Sequence, residues 1–466
     1  MERSGEEESA GGANPAASDT EEQRTLGGTV DAAPALRIET RAELVSLLCE
    51  AAELEHGLVC SYLFTAFTLK DPETEGLTPL QAEAVGRWRE VLTGVALEEM
   101  LHLALVSNLL TAVGAAPHLA RPPFPQVSRY YPAGITIELR RFSDATLTRF
   151  VHLERPEGVE IEDEVVEDPG VDLEAGTPEA APGALRTPED EVEEVPAEAY
   201  ATVGHLYQAI EDGFCHLVEE RGEDDLFIGP PQAQATSEHF RFPELVAVTD
   251  LASARKALEV LVTQGEGVRG DWAEAHYGSF LTTRDELRAL RRDDPGFDPA
   301  HLVLDNPIAH EPPEGAPERL VDEPVTASVM QLFDGSYELM TAMLLRYFAH
   351  SDETDEALGI LVQSALRLMS AVVAPLGRLL TSLPAGGGHG DATAGPCFEL
   401  ESPVSLIPHR RAAWLVLHER LVELASFAER LTEEGGPLAL DEVGEQLNGL
   451  ARDLEPHLER RRLLPT

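Results

Sequence analysis

The segment 88–113 combines helically spaced apolar side chains with two side chains that can bind metals. Apolar residues recur there every three or four positions, and Glu99 and His102 fall within the apolar stripe. A helix buries such a stripe against the core, and an unpaired carboxylate is costly to bury. We therefore interpret Glu99 and His102 as metal ligands. The alternative is a buried pair held by hydrogen bonds alone.

The predicted helix 41–69 repeats this anomaly, because Glu55 lies within its apolar stripe. Tyr62 follows two helical turns later on the same face, where its hydroxyl can bond a carboxylate or a bound oxygen species. We predict that Glu55 is a further metal ligand and that Tyr62 is the candidate catalytic residue beside the metal. The alternative for Tyr62 is a packed aromatic side chain with a satisfied hydroxyl.

The rest of the chain is predominantly helical in its hydrophobic pattern. Further helices are predicted at 80–114, 144–152, 198–221, 250–264, 271–291, 323–349, 354–383, 408–434 and 440–461. Residues 134–142 alternate between apolar and polar, which predicts a short strand or an extended crossover. The predicted fold class is therefore all-α: a helical bundle with long loops and additional C-terminal helices.

The chain is strongly acidic, with 84 acidic and 35 basic residues and a formal net charge of −49. Much of the excess lies in two segments without apolar periodicity, 1–35 and 157–198, and the second holds sixteen Asp or Glu residues and five prolines. We predict that both are disordered, the first as a tail and the second as an insertion between bundle helices. A surface this acidic disfavours nucleic acids and anionic membranes as partners.

Three regions are predicted from this pattern: a disordered acidic tail at 1–35, a bundle at 36–300 that contains the insertion, and a C-terminal helical extension at 301–466 packed on the bundle. The N-terminus lacks the basic and apolar regions of a secretion signal. No uninterrupted apolar run reaches the roughly 18 residues that span a bilayer. We therefore expect a cytoplasmic protein without a membrane span. The four scattered cysteines indicate reduced thiols.

An ordered series of motifs resembles the ferritin-like domain of the imine-dimerising synthases of violacein and rebeccamycin biosynthesis. The motifs are Leu-Glu-His at 54–56, Glu99-Met-Leu-His102, Pro117-His118-Leu119, Arg121-Pro-Pro-Phe-Pro125, Glu154-Arg155-Pro156, Val203-Gly-His-Leu-Tyr207, Gln264-Gly-Glu-Gly267, His276-Tyr277 and Gly395-Pro-Cys-Phe398. The resemblance covers most of residues 40–430. It implies a ferritin-like bundle, in which Glu-x-x-His places a carboxylate and an imidazole towards a dinuclear centre.

The resemblance implies iron or manganese as the cofactor, in a dinuclear site, and leaves haem open. His276 is present on the predicted fourth bundle helix, but Ala273 stands three residues before it, and a His-only contribution resembles the ligand set of dimanganese catalases. On the third helix, His205 occupies the position where the resemblance leads us to expect a carboxylate. A mononuclear or altered site is the alternative. The predicted metal ligands are Glu55, Glu99, His102, His205 and His276.

These residues predict a metal-dependent oxidative enzyme. By the resemblance, its substrate is a small molecule such as an amino-acid-derived imine of bacterial secondary metabolism. The chain lacks the serine elbow of α/β-hydrolases and the phosphate-binding loop of P-loop nucleotidases, which argues against hydrolase and nucleotide chemistry. Two alternatives remain: peroxide decomposition of the dimanganese-catalase kind, and a non-catalytic helical binding protein with a vestigial site. Homo-oligomerisation is left open.

Overall fold

The computed structural model describes residues 37–73, 75–126, 136–156, 159, 202–267, 272–311, 315–316, 318–350, 352–400 and 406–458. The segment Leu36–Thr466 forms one compact unit. The tail predicted at 1–35 and the insertion predicted at 157–198, apart from Val159, lie outside the described residues.

Thirteen α-helices occur in the described part of the chain. They are α1 (Arg41–Thr68), α2 (Pro79–Ala112), α3 (Asp144–Leu153), α4 (Val203–Arg221), α5 (Glu223–Leu226), α6 (Ser237–Phe240), α7 (Leu251–Gly265), α8 (His276–Asp293), α9 (Pro324–Ala349), α10 (Asp355–Leu368), α11 (Ala374–Leu380), α12 (Arg410–Glu433) and α13 (Ala439–Leu454). Isolated β-bridges, but no strands, connect loops within the same ranges. The prediction of an all-α fold is confirmed.

The two longest helices, α1 and α2, form an antiparallel pair. Both begin with a threonine capping box, in which the cap and the third helical residue bond each other's backbone amides. At one end of the pair, the Arg41 guanidinium donates to the Val113 carbonyl at 2.8 Å. At the other end, the Arg89 guanidinium donates to the Leu69 carbonyl at 2.9 Å. These bonds fix the register of the two helices that carry the predicted Glu55, Glu99 and His102.

Four helices, α3, α4, α7 and α8, complete the N-terminal bundle. Helix α4 packs against α1 and α7, both α7 and α8 contact α2, and α3 packs on α8. Aromatic side chains fill the space between them: Phe142 stacks on Trp88 with ring centroids 5.2 Å apart, and Tyr62 packs edge-on against Phe150 at 4.7 Å. The bundle thereby surrounds the polar residues of α1 and α2 with apolar side chains.

The C-terminal helices pack against another face of the α1–α2 pair. Helix α9 contacts α10, α11 and α12, and α12 packs on α13. Tyr337 of α9 is hydrogen-bonded to His56 of α1. Gly377 of α11 lies so close to α1 that a Cβ there would be 2.6 Å from the Phe67 ring. One hydrophobic core therefore includes residues from α1 to α13. The domain boundary at residue 300 stays a prediction.

Helix α8 begins at His276 and not at residue 271 as predicted. The residues just before His276 form a turn instead. Gly278 lets the helix approach this turn closely, because a Cβ there would lie 2.0 Å from the Trp272 carbonyl oxygen. Ala273 therefore precedes the helix, and the Glu-x-x-His spacing does not apply to His276.

Two predicted elements take a less regular form. The described part of the segment 134–142 is an extended crossover, in which Ile137 and Gln126 exchange backbone hydrogen bonds of 2.8 and 3.1 Å. The helix predicted at 354–383 contains a π-helical turn, Met369–Val373, between α10 and α11. Such turns widen a helix locally and are common at functional sites.

Two helical segments, Pro79–Ala112 and Asp355–Leu380, are long and apolar enough to cross a membrane. In their most apolar stretches, 78% and 50% of the residues are buried inside the protein. Core helices of soluble proteins meet the same criterion, so length and composition are weak evidence for a span. The prediction of a protein without a membrane span stays a prediction.

A buried ion pair between Arg346 and Glu353 attaches the end of α9 to the segment that leads into α10. The side chains are 2% and 0% exposed, and Arg346 also donates to the Ile407 carbonyl at 2.8 Å. Glu353→Gln leaves the buried guanidinium without its closest negative charge. We expect the free energy of unfolding to fall by about 2–3 kcal/mol, measured by urea denaturation with circular dichroism.

The exposed pair between Arg367 and Asp453 provides the control, because its side chains are 47% and 56% exposed. Asp453→Asn should change the free energy of unfolding by less than about 1 kcal/mol. Equal effects of the two substitutions would contradict the structural role given to the buried pair.

Candidate metal centre

A first cluster of metal-binding side chains joins α1 to α2. The side chains of Glu55, Glu99 and His102 are 2%, 1% and 3% exposed. His102 Nδ1 lies 2.8 Å from Glu99 Oε2 and 3.5 Å from Glu55 Oε2. One ligand atom from each residue lies within 4.8 Å of the others. The three residues that the helical stripes identified therefore meet in the core.

A second cluster joins α2 to α3 and α8. It consists of Glu99, Glu154 and His276, and their ligand atoms again lie within 4.8 Å of one another. His276 Nδ1 is 3.0 Å from Glu99 Oε1 and 3.7 Å from Glu154 Oε2. Glu154 is the C-terminal cap residue of α3 and is 4% exposed.

Glu99 belongs to both clusters and turns a different oxygen to each. Its Oε2 faces His102 and its Oε1 faces His276. The two imidazole rings face each other at an interplanar angle of 29°, with centroids 5.5 Å apart. A carboxylate shared in this way would allow Glu99 to offer one oxygen to each of two metal ions. We name the five residues Glu55, Glu99, His102, Glu154 and His276 the paired clusters.

The two histidines are oriented by hydrogen bonds on their outer nitrogens. His102 Nε2 lies 2.9 Å from Gln264 Oε1, and His276 Nε2 lies 2.8 Å from Glu98 Oε2. An amide oxygen or a carboxylate can only accept, so each Nε2 carries the hydrogen in the neutral ring. Both rings then direct the Nδ1 lone pair into the paired clusters, as carboxylate and amide partners do for metal-bound histidines.

Two buried tyrosines hold the outer oxygens of two cluster carboxylates. The Tyr62 hydroxyl donates to Glu154 Oε1, and the Tyr207 hydroxyl donates to Glu55 Oε1. Burial, followed by the neighbouring carboxylate charges, raises the pKa of both tyrosines well above its ordinary value. Both hydroxyls therefore remain protonated donors.

The charges of the buried groups depend on one another. Burial, followed by the Glu99 charge, raises the pKa of Glu55 to about 8. Burial by itself would raise the pKa of Glu99, but the charges of His102 and His276 hold it below its ordinary value. Burial opposes protonation of His102, yet Glu99 raises its pKa to about 10. Protons on the imidazoles thus neutralise the carboxylates, and bound cations would take over that role.

The donor atoms fit a pair of divalent cations. Glu55 Oε2 and His276 Nδ1 are buried and make no hydrogen bond to any described residue, which is uncommon for buried polar atoms. Three carboxylates and two imidazoles suit iron and manganese. Their three negative charges would offset three of the four positive charges of two divalent ions.

The structure brings together four of the five predicted ligands. His205 is in neither cluster; it lies in the first turn of α4 and is half-buried. From the same helix, Tyr207 reaches Glu55 instead. Sequence reasoning missed both Glu154 and Tyr207 as site residues, although each belongs to a motif that was recognised. Metal binding by these residues stays a prediction.

Comparison with known proteins identifies the family of the chain. A family model described as ferritin-like matches residues 48–285, which contain all of the paired clusters. Among solved structures, a ferritin-like protein from Caulobacter vibrioides is 18% identical, with a TM-score of 0.43 over 70% of this chain and 96% of that chain. The family match confirms the resemblance seen in the sequence motifs.

Two curated relatives resemble most of the chain. Dichlorochromopyrrolate synthase of Lentzea aerocolonigenes is 29% identical over 427 residues, which cover 84% of this chain and 39% of that protein. The 2-imino-3-(indol-3-yl)propanoate dimerase of Chromobacterium violaceum is 28% identical over 403 residues, which cover 81% of this chain and 35% of that protein. The chain thus spans less than two fifths of the length of these relatives.

Substitutions in the paired clusters should change the number of metal ions bound per chain. With protein from an iron- and manganese-supplemented culture, elemental analysis should give about two ions for the unchanged chain. Glu154→Ala removes a ligand of one cluster and should leave about one ion, whereas Glu99→Ala removes the shared ligand and should leave almost none.

Glu53→Ala is the matched control. Glu53 is two residues from Glu55 on α1, but its carboxylate bonds His118 at 2.8 Å and belongs to neither cluster. The control should retain the metal content of the unchanged chain. Full metal content in the Glu154→Ala chain would show that Glu154 is not a ligand.

Proposed function

The chain belongs to the ferritin-like family, and on that premise we propose that it is a metal-dependent oxidoreductase whose paired clusters hold two ions of iron or manganese. The observation that carries the proposal is Glu99, which presents one carboxylate oxygen to His102 and the other to His276. Glu55 would hold the first ion with His102, and Glu154 would hold the second with His276. When bound, such ions supply one-electron redox chemistry and open coordination positions.

Two tyrosines hold the carboxylate ligands in place by hydrogen bonds. Tyr62 acts through Glu154, and Tyr207 acts through Glu55, because each phenol donates to the outer oxygen of that carboxylate. We therefore assign Tyr62 a positioning role. Both phenols keep their protons, so each continues to donate a hydrogen bond to its carboxylate.

Glu98 gives the otherwise buried centre a connection to solvent. Its side chain is 46% exposed, whereas the His276 side chain that it bonds is 1% exposed. A carboxylate in this position can fix the imidazole ring and exchange protons with water. Glu98 is therefore a further positioning residue of the proposed site, besides Tyr62 and Tyr207.

For the substrate, we propose a small amino-acid-derived imine of bacterial secondary metabolism. Support comes from the two relatives, a dichlorochromopyrrolate synthase and a 2-imino-3-(indol-3-yl)propanoate dimerase, whose similarity extends over more than four fifths of this chain. The net charge of −49 disfavours nucleic acid and anionic membranes as partners. A cytoplasmic location and a homo-oligomer are also compatible with the proposal.

Peroxide decomposition is the second candidate function. The observation that favours it is the donor set of three carboxylates and two imidazoles with one shared carboxylate. This reaction needs no organic substrate, so it depends only on the metal centre. Haem, which the sequence resemblance left open, is not required by this donor set.

The proposed activity can be tested with the imine generated from L-tryptophan by an amino-acid oxidase. The metal-loaded chain should consume oxygen and form a product with the mass of two imines less two hydrogens. Mass spectrometry measures the rate at which this product forms. Glu99→Gln, which weakens the shared ligand, should lower the rate at least about a hundredfold.

Peroxide assays and the control variant complete this test. Glu53→Gln should leave the rate unchanged, because Glu53 lies outside the paired clusters. Oxygen release from peroxide without imine coupling would support the second candidate function. If the loaded chain neither couples the imine nor decomposes peroxide faster than free metal, the proposed oxidoreductase function is wrong.

A further inference from the structure

Two adjoining cavities form a groove along the α1–α2 pair, on a face next to that of the paired clusters. They enclose ≈ 870 and ≈ 860 Å³, including space open to solvent. Both cavities are lined by Leu63, Leu97, Met100, Met369 and Val373. Leu97 is 41% exposed, which marks the open side. We call this space the apolar groove.

The apolar groove is separate from the metal centre. Met100 lines it and directly follows Glu99 on α2, while His56 lines it and directly follows Glu55 on α1. Successive helical residues point about 100° apart, so the same two helices present one face to each site. None of the paired-cluster residues lines either cavity.

The wall of the groove suits an apolar ligand of variable shape. Met100, Met340 and Met369 line it, which is half of the six methionines in the chain. Methionine side chains are flexible and adapt to different apolar surfaces. Phe240 and Phe348, stacked at 5.6 Å, add an aromatic wall.

The inner end of the groove is uncharged. His56 and Tyr337 line it and are hydrogen-bonded to each other. No Asp, Glu, Lys or Arg side chain lines this cavity. Arg121 does not line the groove, and its guanidinium donates to the backbone carbonyls of Pro122 and Phe398. The inner end therefore offers no charge to a ligand.

The outer end carries two arginines, Arg89 and Arg378. Arg89 donates through Nη2 to the Leu69 and Lys70 carbonyls at 2.9 and 2.8 Å. Its Nε, however, is buried and finds no hydrogen-bond acceptor among the described residues. Arg378 is exposed. A negatively charged group between the two guanidiniums would meet donors from both.

The two arginines act on each other electrostatically. Burial is the main cause that lowers the pKa of Arg89, and the charge of Asp71, the next largest influence, raises it. The charge of Arg378 lowers this pKa further, and that of Glu75 raises it. In the described part of the chain, no carboxylate forms an ion pair with either guanidinium. Arg89 and Arg378 line the same cavity, and a cavity with two basic and no acidic side chains in its lining is unusual in a chain of net charge −49.

The π-helical turn Met369–Val373 shapes the same region. Met369, Ser370 and Val373 from this turn line the outer cavity, and Arg378 follows on α11. A π-turn shifts the side chains after it relative to a continuous α-helix, and such turns are frequent at functional sites. The irregularity thus lies where the apolar wall meets the arginines.

We propose that the apolar groove binds a carboxylate with an elongated apolar body, its carboxylate between Arg89 and Arg378 and its body directed towards Tyr337. Two classes of compound have a carboxylate on an elongated apolar body: fatty acids and aromatic alkanoates. This site needs no metal, so it is independent of the proposed oxidoreductase function. Charge complementarity at one end and apolar burial along the rest decide the class of ligand.

Isothermal titration calorimetry of the full chain tests the ligand class. Decanoate should bind at one site per chain, and the uncharged decanamide should bind about tenfold more weakly, because it lacks the ion pairs with the arginines. Equal affinity for decanoate and decanamide would overturn the proposal. So would the absence of binding by both decanoate and indole-3-propanoate, a second acid that is titrated beside it.

Arg378→Gln tests the position of the carboxylate. This exposed side chain should be replaceable without loss of folding, and decanoate should then bind about fivefold to tenfold more weakly while decanamide is unaffected. The matched control is Arg367→Gln on α10, where the arginine bonds Asp453 and lines neither cavity. Equal decanoate affinity in the Arg378→Gln and unchanged chains contradicts the proposed site.

Indole-3-propanoate, titrated beside decanoate, distinguishes the two classes of compound. Tighter binding of decanoate indicates a fatty acid, and tighter binding of indole-3-propanoate indicates an aromatic alkanoate. Repeating both titrations with Glu99→Ala separates the groove from the metal centre. Binding retained in that variant supports the groove, whereas loss of binding there, with Arg378→Gln unaffected, places the ligand at the paired clusters and overturns the proposal.

Discussion

The burial of Glu99 between two histidines is the constraint on which the arrangement of the bundle depends. Three carboxylates meet in a core that excludes water, and they repel one another unless positive charge lies between them. His102 and His276 supply that charge from opposite sides, and their outer nitrogens are held by Gln264 and Glu98. Helices α1, α2, α3 and α8 each contribute a ligand, so their packing and the charge balance must be satisfied together.

Sequence reasoning succeeded where the signal was local. Glu55, Glu99 and His102 interrupt apolar stripes of two long helices, and the helical period alone places them inside. Glu154 gives no such signal, because it caps a ten-residue helix and reaches the core only through the packing of α3 on α8. A carboxylate was expected at the position of His205, which lies on α4. Glu154 at the end of α3 supplies a carboxylate to the site instead, at a position that periodicity could not identify.

The other differences between the predicted and the observed elements also arise from tertiary structure. Sequence pattern placed His276 within a longer helix, but the close approach of Gly278 to Trp272 makes His276 the first helical residue. The π-turn at Met369–Val373 has no sequence signature in the apolar period, and the cavities that it lines depend on helices far apart in the chain. Helices α1 and α2 therefore serve two environments, a polar centre on one face and an apolar groove on the next.

The central claim is that Glu99 bridges two metal ions, and anomalous X-ray diffraction at the manganese and iron absorption edges tests it most directly. Crystals of the full chain grown with either metal should show two anomalous peaks, one among Glu55, Glu99 and His102 and one among Glu99, Glu154 and His276. Crystals that show one peak, or none at these positions, would contradict a dinuclear centre built on the shared carboxylate.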